Sequence, residues 1–351
     1  MSSAVDWQTA VRRAGGLARP GPTGTPAELR ALVQVLRRAA AEAPEHVAEI
    51  TGLTRAAQQV ADVPVYVVDR PRWSQANVEM FARLTDGLLP TSPLPGSGRV
   101  AGEEMGFVLA ILSTKVLGQY DPFGDEPRGR LLLVAPNVLK IERELNLDAM
   151  DFRLWVCLHE QTHAVQFAAA PWLPEHLAGR MRRLVGGVSA TPDGSARLAR
   201  AVRGVLDAAT AALGGTPQEK PDDLGGPLVD AFLDERERAD LAEIVAVMSL
   251  LEGHADVVMD EVGPGRLPSV RHIRAAFEKR RDGTSTGDVL LRRILGMDAK
   301  VAQYRNGARF VRAVVDEVGH AGLNAVWTSP ETLPTAAEVS DPAAWVRRVH
   351  G

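Results

Sequence analysis

The chain has 351 residues, 45% of them apolar, which is ample for a packed core and excludes a disordered or fibrous protein. Its 40 basic and 44 acidic side chains leave a formal charge of −4, so no global positive field recruits nucleic acid or an anionic membrane. The single cysteine, Cys157, can form no internal disulfide, the N-terminus lacks the apolar core of a signal peptide, and the apolar runs fall far short of the ~20 residues a membrane helix needs. A reducing cytoplasm is the expected location.

Residues 1–25, with the Gly/Pro-rich stretch that begins at Gly15, read as a flexible N-terminal arm. Pro26 then opens an Ala/Leu/Arg helix to about Ala43, and VPVYVV at 63–68 has the β-branched and aromatic make-up of a short strand. Apolar spacing near 3.6 predicts helices over 73–88 and 103–120, with a loop from Pro90 to Gly98 between them. The apolar run between Arg128 and Pro136 predicts a second strand. Asp148, with Asp151 three residues on, marks the start of a long helix through about Ala170, ended by Pro171 and Pro174.

The pattern stays helical from Leu173 to Leu213, and Gly214 to Pro227 is a polar loop suited to a flap. A further long helix is predicted over 234–260, apolar nearly all round from Ile244 to Leu251 and therefore buried. Helices at about 270–281, 289–295 and 299–318 complete the body, and the last thirty residues read as an irregular wrap ending in a short helix. The expected fold is mainly α with a small β-sheet (α+β). The arm is followed by one domain over 26–351, with the sheet and long helix in about 63–170 and a helical part in about 171–327.

The functional signal lies in Trp155-Val-Cys-Leu-His159-Glu160-Gln161-Thr162-His163, which contains H-E-x-x-H. Two histidines four apart share one helix face, where both imidazoles can reach a single zinc ion. Glu160, rotated by about 100° from His159, falls outside the ligand set but beside the open coordination position, where a general base belongs. The flanking Val156, Cys157, Leu158, Gln161, Thr162, Ala164 and Val165 are uncharged, unlike a surface helix, and Cys157 reads as a small buried apolar residue.

A catalytic zinc site needs a third protein ligand. Glu252 is the leading candidate, a carboxylate in an apolar helical stretch that needs a cationic partner. Asp256, four residues later on the same face, is placed to accept the outer N–H of a ligating imidazole, and Gly253 would let another helix approach closely. His254 is the rival ligand on a different face; otherwise it lies near the substrate or packs in the core.

The motifs HEQTHAVQF and SLLEGHADVVMD, with the later GMDAKVAQYRNGARFV, resemble the zincin-like metallopeptidase type 2 family, found mostly in actinobacteria and associated with deazaflavin-coenzyme biosynthesis. The resemblance spans about Trp73 to Trp327. It implies a zincin-like fold with the metal-binding helix at the core, one zinc ion held by His159, His163 and Glu252, and Glu160 as catalytic base. The Glu252-x-x-x-Asp256 spacing is also similar to the glutamate helix of gluzincins, although 89 residues separate His163 from Glu252, which implies an inserted helical segment.

The expected chemistry is hydrolysis of a peptide or other amide bond: zinc acidifies water, Glu160 takes the proton, and Glu160 returns it to the leaving amine. Tyr304, His320, His272 and Arg305 are candidate oxyanion donors. The strand Arg130 to Val134, with Arg130, Leu132 and Val134 on one face, resembles the edge strand on which zincins lay an extended peptide, the alternative being an ordinary core strand. The expected partner is thus a peptide or protein substrate, with no nucleic acid and no membrane. Two alternatives are a non-catalytic zinc-containing binding or scaffold protein and an amide hydrolase of coenzyme metabolism.

Overall fold

The computed structural model describes residues 4–89, 96–190, 234–282 and 307–351. The expected flap at 214–227 and helix at 289–295 lie outside the described residues. The chain begins with α1 (Trp7–Leu17), capped by Asp6, whose carboxylate accepts the Thr9 N–H at 3.0 Å. Residues 7–17 of the flexible arm expected over 1–25 are thus helical. Ala10 and Ala14 are fully buried, and the helix docks on α5 (Ser97–Leu112). Gly102 and Gly106 of α5 make the contact possible, since a Cβ on them would stand 2.4 Å from Asp6 O and 2.6 Å from Ala10 O.

Helix α2 (Pro26–Thr51) runs past the predicted end at Ala43 and carries Pro44 in its interior. A proline there has no N–H for the Ala40 carbonyl four residues back. That carbonyl instead accepts Gln161 Nε2 at 2.7 Å, so a residue of the H-E-x-x-H helix repairs the break.

After α3 (Thr54–Val60) come β1 (Val65–Val68), α4 (Arg70–Leu84), α5, β2 (Gly118–Asp121) and β3 (Arg130–Val134). The sheet order is β1-β3-β2, with Val65 opposite Leu131 in a parallel pair and Gly118 opposite Leu133 in an antiparallel one. Two expectations change here. The helix predicted over 103–120 stops at Leu112, and Gly118–Asp121 is a strand. Nor is β3 an edge: it is central and buried throughout, and β1 and β2 form the two edges. Alternation along β3 sends Leu131 and Leu133 into the core shared with α2 and the long helix α7 (Ala149–Ala169), and Leu132 and Val134 into a second core under α1, α4 and α5.

Helix α6 (Ala135–Glu144) leads into α7, whose N-cap Asp148 accepts the N–H groups of Met150 and Asp151. Then follow α8 (Leu173–Ala190), α9 (Glu235–Glu261), α10 (Val270–Asp282) and α11 (Gly307–Leu323). Two 3-10 turns, Asn324–Trp327 and Pro330–Thr332, and the short helices α12 (Ala336–Ser340) and α13 (Pro342–His350) close the chain. A third apolar cluster joins α8, α9, α11 and this C-terminal wrap around Leu250, Phe310 and Trp345. The architecture is mainly helical with a small sheet. No helix among the described residues is long and apolar enough to cross a membrane.

Candidate metal centre

Helix α7 is nearly all apolar or uncharged around its middle, so it can be buried against α2 on one side and the sheet on another. Its polar side chains at 159, 160, 163 and 166 turn toward α9 and β2. His159 Nε2 and His163 Nε2 stand 3.1 Å apart, and the Glu252 carboxylate from α9 lies 3.6 Å from the first and 3.5 Å from the second. Bonds of ~2.0–2.1 Å at a tetrahedral angle place zinc ligands about 3.3 Å apart, so these separations fit one ion. The three residues also form a group of potential metal ligands among the described residues.

His163 Nδ1 donates to Gln166 Oε1 at 2.9 Å, because the Gln166 amide is oriented by its Nε2 donating to Leu251 O at 2.9 Å. The Nε2 of His163 faces His159 Nε2. Burial, and then the neighbouring His163, push the His159 pKa down to about 4, so this imidazole is neutral near pH 7. Its Nδ1 rests against Met259 Sδ at 3.2 Å. Two imidazoles from one helix and a carboxylate from another, converging within 3.1–3.6 Å, are a donor set suited to zinc.

Glu160 stands beside this group and outside it. Burial and then the charge of Glu252 raise its pKa to about 8, opposed by a hydrogen bond from the Tyr120 N–H. Val134 N–H donates to Leu117 O across the sheet, so residues 117, 119 and 121 turn their main chain to β3, and Gly118 and Tyr120 turn theirs outward toward Glu160. Gly118 is required by this approach, since a Cβ there would lie 2.6 Å from Glu160 Cγ.

Asp256 departs from expectation. Its carboxylate accepts Arg274 Nη1 of α10 at 2.5 Å and stands near Arg312, so no ligating imidazole donates to it. The outer partner of His163 is Gln166, and that of His159 is Met259. His254 is fully buried: its Nδ1 accepts Gln166 Nε2 at 2.9 Å, and its ring packs against Trp327. It neither reaches the Glu252 group nor faces a substrate. Gly253 does make the expected close contact, a Cβ there meeting the Gly307 carbonyl carbon of α11 at 2.2 Å.

Arg130, expected to face a substrate, is buried and binds Asp121 Oδ2 through Nε at 3.0 Å and Ala76 O through Nη2 at 3.2 Å. Leu132 and Val134 are core side chains in the central strand. His320 pairs with Glu261 at 2.8 Å, and His272 is exposed on α10. Tyr304 and Arg305 lie outside the described residues. Gln166, Tyr120, Gly118 and Met259 were not singled out from sequence. Of these only Gln166 carried a readable signal, three residues after His163 on the same helix face.

No functionally curated protein matches the chain. A crystal structure from Chloroflexus aurantiacus, described provisionally as a hydrolase with a novel fold, superposes with a TM-score of 0.65 at 28% sequence identity and covers 99% of both chains. The sequence model of the zincin-like metallopeptidases matches residues 5–346. The match and the structural likeness support an enzyme of the hydrolase type that uses a metal, consistent with the His159, His163 and Glu252 group. Because the match spans nearly the entire sequence, the chain belongs to the zincin-like metallopeptidase family.

Proposed function

We propose that the protein is a zinc-dependent peptidase in which His159, His163 and Glu252 hold the ion and Glu160 moves the proton. The observation that carries this reading is the convergence of two imidazoles and one carboxylate from two helices, with a second buried carboxylate beside them. When bound, zinc supplies Lewis acidity toward a substrate carbonyl and a positive charge that lowers the proton affinity of nearby water and carboxylate.

Glu160 then accepts the proton of the attacking water and delivers it to the leaving amine. Tyr120 N–H and Gly118 hold its carboxylate in place. Gln166 keeps His163 in the tautomer that leaves Nε2 unprotonated. The edge position of β2 supports an extended peptide as substrate, paired through outward main-chain groups other than the Tyr120 N–H that Glu160 accepts. This assigns to β2 the role that sequence suggested for β3.

The test is metal analysis with hydrolysis of a peptide library by the zinc-loaded protein. Zinc near one equivalent, lost in a folded His163→Ala variant, together with a Glu160→Gln variant that keeps zinc but cleaves nothing, is the expected result. A wild-type protein that folds without binding zinc, or a Glu160→Gln variant as active as wild type, would sink the reading.

A further inference from the structure

On the side of α5 and α6, away from the metal group, a cavity of about 720 Å³ opens between the end of α1, the segment 19–22, α5 and α6. Its walls carry Arg19, Arg70, Lys115, Lys140 and Arg143 against a single carboxylate, Glu144. In a chain with a formal charge of −4 this is a local reversal of sign, and it gathers two of only five lysines.

Arg70 is the decisive residue. It is only 4% exposed, yet its hydrogen bonds go to neutral oxygens: Nε to Asn137 Oδ1 at 2.7 Å, and Nη1 to the carbonyls of Arg19 and Pro20 at 2.7 and 2.9 Å. No carboxylate pairs with it among the described residues, and its Nη2 has no protein acceptor there. Asn137 is itself fixed, giving its Nδ2 hydrogens to Ser113 O and Val116 O. A buried guanidinium without a counter-ion is costly, and burial already lowers its pKa. An anion supplied from outside would relieve that cost.

The remaining charges are partly committed. Lys140 lies 3.5 Å from Glu144, and Arg143 donates to Thr23 O at 2.8 Å. Arg19 has no carboxylate partner among the described residues and stands exposed at the rim. The wall that contributes Arg19 is seated firmly, because Gly21 packs so closely on Pro136 at the start of α6 that a Cβ there would stand 2.3 Å from the proline Cβ.

We propose that this cavity binds a small organic phosphate, the phosphoryl group held by Arg70 and Arg19 with Lys140 nearby, and the organic part against Leu17, Phe107 and Ile111. Several cations around one buried guanidinium suit a dianion, and guanidinium forks match phosphoryl oxygens. The volume falls in the ~300–1,000 Å³ range of small-molecule sites and exceeds what bare phosphate needs, while the apolar wall gives the rest of the ligand a surface. None of His159, Glu160, His163 or Glu252 lines the cavity, so the site is separate from the peptidase reading.

The experiment is calorimetric titration of the zinc-loaded, full-length protein at low salt with hexyl phosphate, inorganic phosphate and hexanol. Saturable binding of hexyl phosphate at one per chain is expected, at least tenfold tighter than inorganic phosphate and with none for hexanol. An Arg19→Ala/Lys140→Ala double variant, altered only at the accessible rim, should lose at least tenfold in affinity with zinc content and hydrolysis unchanged. His163→Ala should bind hexyl phosphate as wild type does. No binding, affinity unchanged in the double variant, or binding lost only in His163→Ala, which would place the phosphate at the metal, would each overturn the proposal.

Discussion

Gln166 shows how one neutral side chain sets the chemistry of its neighbours. Its carbonyl takes the Nδ1 proton of His163 while its amide nitrogen serves Leu251 O and His254 Nδ1. Gln166→Leu removes all three partners, and an outer-shell loss of this kind typically costs 10–100-fold in metal affinity. Competition with a zinc chelator should show that loss; unchanged affinity would contradict the assigned role. The H-E-x-x-H spacing was legible because its geometry is contained within one helix turn. Asp256 was misread because its partner, Arg274, arrives from another helix that local spacing does not position.

Glu160 also makes a prediction about pH in chelator-treated protein. Its folded pKa, about 8, lies above the ordinary value near ~4.3, so its contribution to stability is full at low pH and is lost as pH rises from about 4 through 8. His159, lowered to about 4, acts in the opposite sense: its contribution is present above about 6.5 and is lost as pH falls toward 4. Thermal melts of the metal-free Glu160→Gln variant should therefore lack the decline between pH 5 and 8 seen in metal-free wild type. Parallel declines in the two proteins would refute this.

At the scale of elements, the site depends on two close backbone approaches. Gly118→Ala would push a methyl group into Glu160, and a displacement near 1 Å can cost about 100-fold in turnover. Peptide hydrolysis should fall by that order with zinc content intact. Gly253→Ala gains ~1 kcal/mol of helix propensity but must separate α9 from α11, an overpacking penalty of about 1–3 kcal/mol. Urea unfolding should show net destabilisation, and zinc affinity should drop as Glu252 shifts. The long helices were readable from apolar period and proline punctuation. Strand β2 was not, because four residues, Gly-Gln-Tyr-Asp, carry no period of their own and follow an apolar helical run. The place of β3 in the sheet was hidden because β1 is 66 residues back from its partner positions, as in Tyr66 opposite Leu132, and chain order says nothing of such pairings. Helix α1 escaped notice although its docking partner carries small residues at Gly98, Gly102 and Gly106, a four-residue spacing that marks a helix crossing.

Across the molecule, the metal group lies where two apolar clusters meet. Helix α7 belongs mainly to the cluster with α2 and β3, whereas the middle of α9 belongs to the one with α8 and α11. An ion held by both helices stabilises their association by mass action, about 2.7 kcal/mol at a free concentration one hundred times its Kd. Chelation should lower the melting temperature by several degrees, and readdition of zinc should restore it; a melting temperature insensitive to chelator would argue against an ion spanning the helices. Strand β3 has a different consequence at this scale. Its side chains serve opposite compartments by turns, Leu131 and Leu133 toward the metal helix and Leu132 and Val134 toward α1, α4 and α5. Odd positions can drift without reshaping the far chamber, and even positions without disturbing the near one. A one-residue slip would instead exchange the two sets at once. The strand is thus a party wall: substitutions redecorate one room at a time, whereas an insertion rebuilds both.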